Sequence, residues 1–433
     1  MGGFGMAGIS AFWLGSNVLW TALIVLLLPG QIEAMTGHLK AEALGWTIGA
    51  GALFSLVVPL VVGPLSDRCA SRLGRRRPYM YAGVAVNILG LLTMLYYSTM
   101  KLATGVGPHT GLPSNFWGYF LGYAIVQVGN NIATGAYQGV IPDVILPRQR
   151  GVASGYMGMM TQLGAVLGIV SIAIFHKNIA LCYEIIIAAI TVCLFVTAVT
   201  LRETPLAEKP PPIDWVVFIK SLWIDPKQYP DFAWVWITRA LVMFGFYSVL
   251  PYVDYYLRDV IHVKNDDIQE TTGRVFVIIL IAAMVTGLLG GWKSDSIGRK
   301  RIVYIATAIM AIGAIGLAFC SNLNQAIYVG VFFGLGYGAY VSVDWALGTD
   351  VLPSQDEAGK DMAVWHIAMV APQSLAAPIA GTILALFGYT IEKVPGKDDI
   401  VHYRSAGYMA MFGMIAVSFA LGAILLRNVK KAR

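Results

Sequence analysis

Apolar runs of about 20 residues, repeated along the whole chain and separated by short charged stretches, constrain the fold of this sequence more than any other feature. A helix of that length crosses the hydrocarbon core of a bilayer. Of the 433 residues, 57% are hydrophobic and 12% are charged, whereas a soluble chain carries about a quarter charged residues. The sequence therefore predicts an all-α membrane protein. The twelve predicted spans lie near residues 8–29, 43–65, 79–99, 115–140, 151–175, 180–201, 231–257, 273–292, 301–320, 325–349, 361–387 and 404–426.

The distribution of lysine and arginine predicts which side of the membrane each loop faces. With the N-terminus placed inside, and residues at the very ends of spans counted with the adjoining loop, the inner loops and the C-terminal tail carry 20 of the 30 lysines and arginines, and the outer loops carry nine. Because cytoplasmic loops are enriched in these residues, both termini are predicted to be cytoplasmic. We expect a multi-pass, monomeric protein of the cell membrane (inner or plasma membrane), surrounded by lipid. A nucleic-acid partner is not expected, because the basic residues lie between spans.

The longest inner loop, at 202–230, contains three consecutive prolines and divides the chain into two halves. We predict an N-terminal six-helix bundle at 1–201, a cytoplasmic linker at 202–230 and a C-terminal six-helix bundle at 231–433.

Two short sequences recur at matching places in the two halves. GPLSDRCASRLGRRR (63–77) follows span 2 and GWKSDSIGRKR (291–301) follows span 8, while PDVILP (142–147) and TDVLP (349–353) follow spans 4 and 10. Such paired repeats indicate a duplication, which is the common plan of secondary transporters.

Polar side chains inside a span are costly, so each is a candidate for function. Span 4 carries four of them at helical spacing on one face with a fifth beside them: Gln127, Asn131, Thr134 and Gln138, and next to them Asn130. Amides both donate and accept hydrogen bonds, which suits a ligand rich in hydroxyl groups. Hydrogen bonding between helices would also enrich such residues. We interpret the amides as substrate-binding residues.

Span 1 adds Asn17 and Trp20, one helical turn apart. An aromatic ring beside an amide can stack against a sugar ring and bind its hydroxyls, although a single tryptophan is as often a packing or interfacial residue. Both residues are candidate substrate ligands.

Span 7 carries Arg239, Tyr247 and Asp254, and Pro251 predicts a break in its helix. We assign Tyr247 to substrate binding and Asp254 to proton binding. Arg239 and Asp254 could instead lie near the span ends and face lipid headgroups.

The strongest candidate for proton coupling is Asp344, in span 10 of the C-terminal half. An isolated carboxylate at that depth could bind and release a proton, because burial disfavours its charged form. A fixed ion pair with Arg239 is the alternative. Tyr340 lies on the same helix face as Asp344, and span 11 supplies His366 and Gln373 as further candidate substrate ligands.

The paired loops of the two halves resemble the loop motif of the major facilitator superfamily. Gly63 to Asp67 and Gly291 to Asp295 have the same spacing, and each pair is followed by a glycine and three cations. The resemblance implies that this motif closes the cytoplasmic side, while plain positive-inside topology would also place cations here. The gating residues implied in this way are Asp67, Arg68, Arg75, Arg76, Asp143, Arg150, Asp295 and Arg299.

Three stretches narrow the resemblance to one branch of the superfamily. GPLSDRCASRLGRRRP (63–78), NNIATGAYQGVIPD (130–143) and HIAMVAPQ (366–373) resemble the sucrose:proton symporters of the glycoside–pentoside–hexuronide branch. That family has a proton-coupling aspartate and an arginine where this chain has Gln127 and Gln138. In this chain, proton coupling must therefore depend on Asp344 or another acid, or be absent.

The residues and the resemblance together predict an alternating-access carrier that moves a sugar or glycoside with protons. We expect no cofactor, no metal and no enzymatic activity. The alternatives are a facilitator of sugars, a proton-coupled exporter of lipophilic or drug-like compounds, and a membrane scaffold that transports nothing. Span 5 lacks the proline that such exporters often carry, which disfavours the exporter.

Overall fold

The protein is almost entirely helical. We analysed a computed structural model, which describes residues 2–100, 112–140, 144–145, 150–203, 213–353, 358–393 and 400–430. The first half of the chain forms α1 (Gly3–Thr21), a π-helical segment (Ala22–Leu27), α2 (Leu28–Thr36), a 3₁₀ turn (Gly37–Leu39), α3 (Lys40–Asp67), α4 (Arg77–Thr99), α5 (Ser114–Tyr137), α6 (Arg150–Phe175) and α7 (Ile179–Thr200).

The second half begins with a short helix in the predicted linker. It forms α8 (Trp215–Ser221), α9 (Pro230–Val249), a 3₁₀ turn (Leu250–Tyr252), α10 (Val253–Asp259), a 3₁₀ turn (Asn265–Asp267), α11 (Ile268–Ile297), α12 (Arg299–Leu317), α13 (Leu323–Asp350), α14 (Ala358–Leu386), strands β1 (Tyr389–Glu392) and β2 (Ile400–Tyr403), and α15 (Ser405–Leu426). The predicted break at Pro251 is confirmed, because it lies in the 3₁₀ turn between α9 and α10. The two strands form an antiparallel hairpin with Tyr389 opposite Tyr403, which the sequence analysis did not predict.

The helices match the predicted spans. Among the described residues, ten helical stretches are long and apolar enough to cross a membrane, and the stretch Gly3–Asp67 contains predicted spans 1 and 2 together. Helix α5 is not one of those ten, since its polar face lowers its mean hydropathy, but it occupies predicted span 4. The all-helical, multi-span fold is confirmed.

The chain divides into two compact units. Unit 1 comprises Met1–Thr36 and Ala50–Ile213, and unit 2 comprises Gly37–Gly49 and Asp214–Arg433. The division after Ile213 falls inside the predicted linker, while the first part of α3 groups with unit 2. The assignment of six spans to each bundle stays a prediction.

Helices in unit 1 approach closely at glycines. A Cβ atom on Gly164 of α6 would collide with the carbonyl oxygen of Leu14 on α1, and one on Gly129 of α5 would collide with the backbone nitrogen of Asn87 on α4. Small residues at such crossings allow the dense packing that holds membrane helices together.

The glycine of the repeated loop motif has a positive φ of nearly the same value in both halves. Gly74 (φ +105°) precedes α4, and Gly298 (φ +100°) precedes α12. A positive φ is strained for other residues and free for glycine. The repeat seen in the sequence is therefore a repeat of structure.

Candidate functional site

The amide side chains of α5 form a hydrogen-bonded cluster inside unit 1. Gln127, Asn130 and Asn131 are 3%, 3% and 7% exposed. Ser55 of α3 donates through Oγ to Gln127 Oε1 at 3.0 Å and accepts from Asn131 Nδ2 at 2.8 Å. Gln127 Nε2 points to the hydroxyl oxygen of Tyr123 at 2.7 Å. We call these five residues the amide cluster.

The amide cluster also reaches α1, where Ser16 Oγ donates to Asn130 Oδ1 at 3.1 Å. These amides therefore join α1, α3 and α5, as expected for hydrogen bonding between helices. Their role as substrate ligands stays a prediction. Gln138 lies one residue beyond α5 and is exposed.

The other unit 1 candidates lie on α1. Asn17 and Trp20 are both half-buried. Asn17 Nδ2 donates to the carbonyl oxygen of Trp13 at 2.7 Å, so part of its hydrogen-bonding capacity is used within its own helix.

Unit 2 contains a buried ion pair between two helices. Arg239 of α9 and Asp344 of α13 are 4% and 6% exposed, and Arg239 Nη1 lies 2.7 Å from Asp344 Oδ2. The Tyr340 hydroxyl donates to Asp344 Oδ1 at 2.8 Å. Both carboxylate oxygens of Asp344 are thus engaged. The ion pair considered as the alternative to an isolated carboxylate is present.

Trp365 of α14 covers one face of the arginine. Its ring centroid lies 4.5 Å from the Arg239 guanidinium carbon, a geometry that attracts the cation to the ring. Trp365 is fully buried, and Gly348 of α13 leaves room for it, because a Cβ atom there would strike the indole. We call Arg239, Tyr340, Asp344 and Trp365 the ion-pair cluster.

The hydrogen-bonding capacity of Arg239 is only partly used. Among the described residues, the buried Arg239 Nε and Nη1 have no hydrogen-bond partner, although Nη1 is in ion-pair contact with Asp344. The charge of Arg239 acts on Tyr247, Tyr337 and His366, which are all half-buried. The ring of Tyr337 stacks on Phe246 with centroids 4.0 Å apart.

The remaining unit 2 candidates lie apart from these contacts. Gln373 of α14 is half-buried. Asp254 at the start of α10 is 3% exposed, and its Oδ1 accepts from Thr272 Oγ1 at 2.9 Å. Since Arg239 and Asp254 are both buried in protein, the interpretation in which they face lipid headgroups is wrong.

Arg76 in the unit 1 loop motif is buried in a polar network. Its guanidinium forms an ion pair with Asp67 and donates to Ser66 Oγ at 2.6 Å. The backbone N–H groups of Arg76 and Arg77 donate to the Glu203 carboxylate at 3.1 and 3.4 Å. A carboxylate at this position satisfies free N–H groups and complements the dipole of α4. Sequence reasoning missed Glu203, which follows span 6 as a single acid.

Three of the other predicted gating residues lie among the described side chains. Arg68 Nη1 donates to the Pro64 carbonyl oxygen at 3.3 Å, and Arg75 is half-buried. In unit 2, Arg299 pairs with Asp350 at 2.5 Å.

Three of the predicted gating positions cannot be placed. Asp143 lies outside the described residues, as do the side chains of Arg150 and Asp295. The gating role of the whole set stays a prediction.

A second polar cluster in unit 2 surrounds the β hairpin and was missed by sequence reasoning. The Asp259 carboxylate accepts from the backbone N–H of Tyr403 at 2.9 Å and from the Tyr408 hydroxyl at 2.7 Å, and it lies 3.1 Å from His402 Nδ1. Lys40 is fully buried and donates to the Val401 carbonyl oxygen. No repeated pattern links these residues, so no sequence signal could have identified them.

We call Lys40, Asp259, His402, Tyr403 and Tyr408 the hairpin cluster, and His402 is its histidine. Its Nε2 lies 3.1 Å from Glu392 Oε2, so the imidazole bridges two carboxylates. The hydrogen bond to Asp259 raises the pKa of His402 above its usual value. Arg258 Nε lies 3.3 Å from Asp259 Oδ1, the same oxygen that His402 contacts.

Comparison with known proteins assigns the family. Residues 5–369 match the profile of the Major Facilitator Superfamily. The chain belongs to the major facilitator superfamily. This transporter is therefore a multi-pass membrane protein that moves a small molecule, and it is not an enzyme.

Its relatives include plant proteins. The chain is 23% identical to "Sucrose transport protein SUC4" of Arabidopsis thaliana over 422 residues, which cover 85% of this chain and 82% of the relative. It is 26% identical to "Sucrose transport protein SUT2" of Oryza sativa subsp. indica over 278 residues, 57% of this chain and 55% of the relative. The predicted resemblance to sucrose transporters is confirmed as a distant similarity.

Solved structures share the fold. A D-xylose–proton symporter superposes with a TM-score of 0.67 at 17% identity, covering 98% of this chain and 97% of that chain. The nucleoside transporter NupG gives 0.71 at 11% identity, covering 98% and 100%. At these identities the likeness concerns the fold alone.

Proposed function

We propose that this transporter is a proton-coupled symporter of a sugar or glycoside that works by alternating access, with both termini in the cytoplasm of the cell. The superfamily supports transport of a small molecule, and the distant sucrose transport proteins support a sugar. The observation that carries proton coupling is Asp344, a buried carboxylate held by Arg239 and Tyr340.

A proton carrier needs an acid that is buried in one state and whose charge is balanced by a movable partner. Asp344 meets the first requirement, and its contact with Arg239 through a single guanidinium nitrogen supports the second. The position that carries the coupling aspartate in the plant family is Gln127 here, and it is hydrogen-bonded within the amide cluster. Coupling through Asp344 is therefore the proposal for this chain.

Uptake into liposomes tests this function. With purified wild-type protein, an inward proton gradient should accelerate glycoside uptake. In Asp344→Asn, that acceleration should be lost while exchange of the glycoside across the membrane persists, because substrate movement does not require the proton. Glu270→Gln, which removes an exposed carboxylate from α11, is the matched control and should behave as wild type.

Each rival function has its own result. Wild-type uptake that does not depend on the proton gradient identifies a facilitator. Gradient-driven uptake that persists in Asp344→Asn shows that Asp344 is not the proton-coupling residue. Movement of lipophilic cations instead of glycosides identifies the exporter. Absence of any flux supports the scaffold.

A further inference from the structure

The short helix α8, in the linker between the two halves of the sequence, carries an exposed apolar face. The helical backbone continues past the end of α8, because the N–H of Trp223 donates to the carbonyl oxygen of Lys220 at 3.2 Å. We call the large hydrophobic side chains that this stretch exposes, by 37%, 62%, 63% and 77% respectively, the linker face: Trp215, Val216, Ile219 and Trp223.

The linker face occupies one side of the helix. Residues four apart in a helix lie one above the other, which aligns Trp215, Ile219 and Trp223. Val216 lies three positions before Ile219 and therefore beside it. Phe218, which lies to one side of this face, is half-buried. The helix is thus amphipathic, with an apolar side that points away from the rest of the protein.

The chain holds α8 close to the membrane. Residues 222–229, which connect it to α9, reach at most about 30 Å when fully extended. A turn shortens them, because the N–H of Tyr229 donates to the carbonyl oxygen of Asp225 at 3.0 Å. The helical stretch Pro230–Asp259 that follows is long and apolar enough to cross the membrane. The linker face is therefore within reach of the membrane surface from which this stretch enters.

The residue types of α8 suit the interface between lipid and water. Tryptophan is enriched at that depth, where its ring is partly in hydrocarbon and its N–H is hydrated. Lys220, which is exposed at the rim of the linker face, can lay its aliphatic stem on lipid and keep its charge in water. A helix of two turns has little stability of its own in water, and a contiguous exposed apolar patch marks a contact surface.

We propose that α8 lies along the membrane surface, with the linker face inserted among the lipid headgroups and the first carbons of the acyl chains. The partner is the bilayer that the protein itself spans, and the helix binds it as an amphipathic interfacial helix. This contact anchors the linker to the membrane between the two halves of the sequence. It depends neither on the substrate nor on proton coupling.

A fluorescent amino acid tests the contact with lipid. An amino acid bearing a dansyl group replaces Ile219 in the full-length protein, which is purified and reconstituted in liposomes with no other protein. Lipids brominated near the top of the acyl chains should quench its emission at least about twofold, because an inserted face brings the probe against them. The same probe at Lys227, an exposed residue of the same linker outside the linker face, is the control and should be quenched much less.

A double variant separates the linker face from the attraction of the probe itself to lipid. With the probe at position 219, Val216→Gln/Trp223→Gln should reduce the quenching to the level seen at position 227. Both side chains are exposed, so thermal unfolding of the double variant should match that of wild type.

Every other result overturns the proposal. Equally weak quenching at positions 219 and 227 would show that α8 stays in water. Emission at position 219 that is shifted to the blue without quenching by brominated lipid would show that the face packs on protein. Quenching that persists in the double variant would assign the contact to the probe. Protection seen in native membranes and lost in liposomes would identify another protein as the partner.

Discussion

The polar centres of the two units use different chemistry. The amide cluster of unit 1 is neutral, and its donors and acceptors largely satisfy one another across α1, α3 and α5. The ion-pair cluster of unit 2 is charged and keeps a buried donor, Arg239 Nε, without a hydrogen-bond partner among the described residues.

The contrast supports the proposal that the two polar clusters have different roles. A satisfied neutral network loses little when its surroundings change, so it suits a scaffold or a site for hydroxyl groups. A buried ion pair responds strongly to one proton, because either charge alone is costly in a medium of low dielectric. The proposed proton coupling therefore rests on unit 2.

Breaking the ion pair should produce the largest effect. Asp344→Leu leaves Arg239 buried without its counter-ion and should lower the free energy of unfolding by about 3–5 kcal/mol. The double variant Arg239→Met/Asp344→Leu should recover most of that loss, because no buried charge remains. Thermal unfolding of the single and double variants in detergent measures the difference. A double variant as unstable as Asp344→Leu would contradict the charge argument.

Breaking the amide cluster should have a smaller effect. Gln127→Leu removes one partner of Ser55 and of Tyr123 and should cost about 1–3 kcal/mol, the usual range for leaving buried polar groups unsatisfied. Gln138→Leu changes an exposed residue on the same chain segment and should stay within about 0.5 kcal/mol of wild type. Equal losses in the two variants, measured by the same unfolding assay, would show that the network contributes nothing.

The hairpin cluster should give the smallest effect, and one that depends on pH. The hydrogen bond to Asp259 raises the pKa of His402 in the folded protein. The stabilisation of the folded hairpin by protonated His402 is therefore fully present below the ordinary histidine pKa. It is lost as the pH rises through the raised value. The other charged groups around His402 are Glu392, Arg258 and Lys40.

Limited proteolysis of the hairpin between pH 6 and pH 9 measures this effect. Wild type should become more easily cleaved as the pH rises, by an amount worth less than about 1 kcal/mol, because His402 is only partly buried and solvent screens its charge. His402→Gln should be cleaved at a rate that does not change over this range. A pH dependence that persists in His402→Gln would assign it to another group.

Much of the fold could be predicted from the sequence, because a bilayer demands apolar runs of one length. The break at Pro251 and the repeated glycines Gly74 and Gly298 could also be found, since each reflects a local backbone requirement.

The site was only partly predictable. Asp344 stood out because a carboxylate in a span is rare, and Arg239 was weighed as its partner. Long-range partners such as Ser55, Trp365 and Glu203 could not be found, because their contacts depend on how the helices pack. The hairpin cluster was hidden for the same reason, since Lys40 and Val401 are 361 residues apart.

Proton uptake on substrate binding tests the central claim, that Asp344 accepts the proton that travels with the substrate. In weakly buffered detergent solution, a pH indicator reports protons taken up as the protein binds a glycoside that it transports. Wild type should take up about one proton for each glycoside molecule bound, by linkage of the two equilibria, and Asp344→Asn should take up none. Equal proton uptake by both proteins would contradict the account.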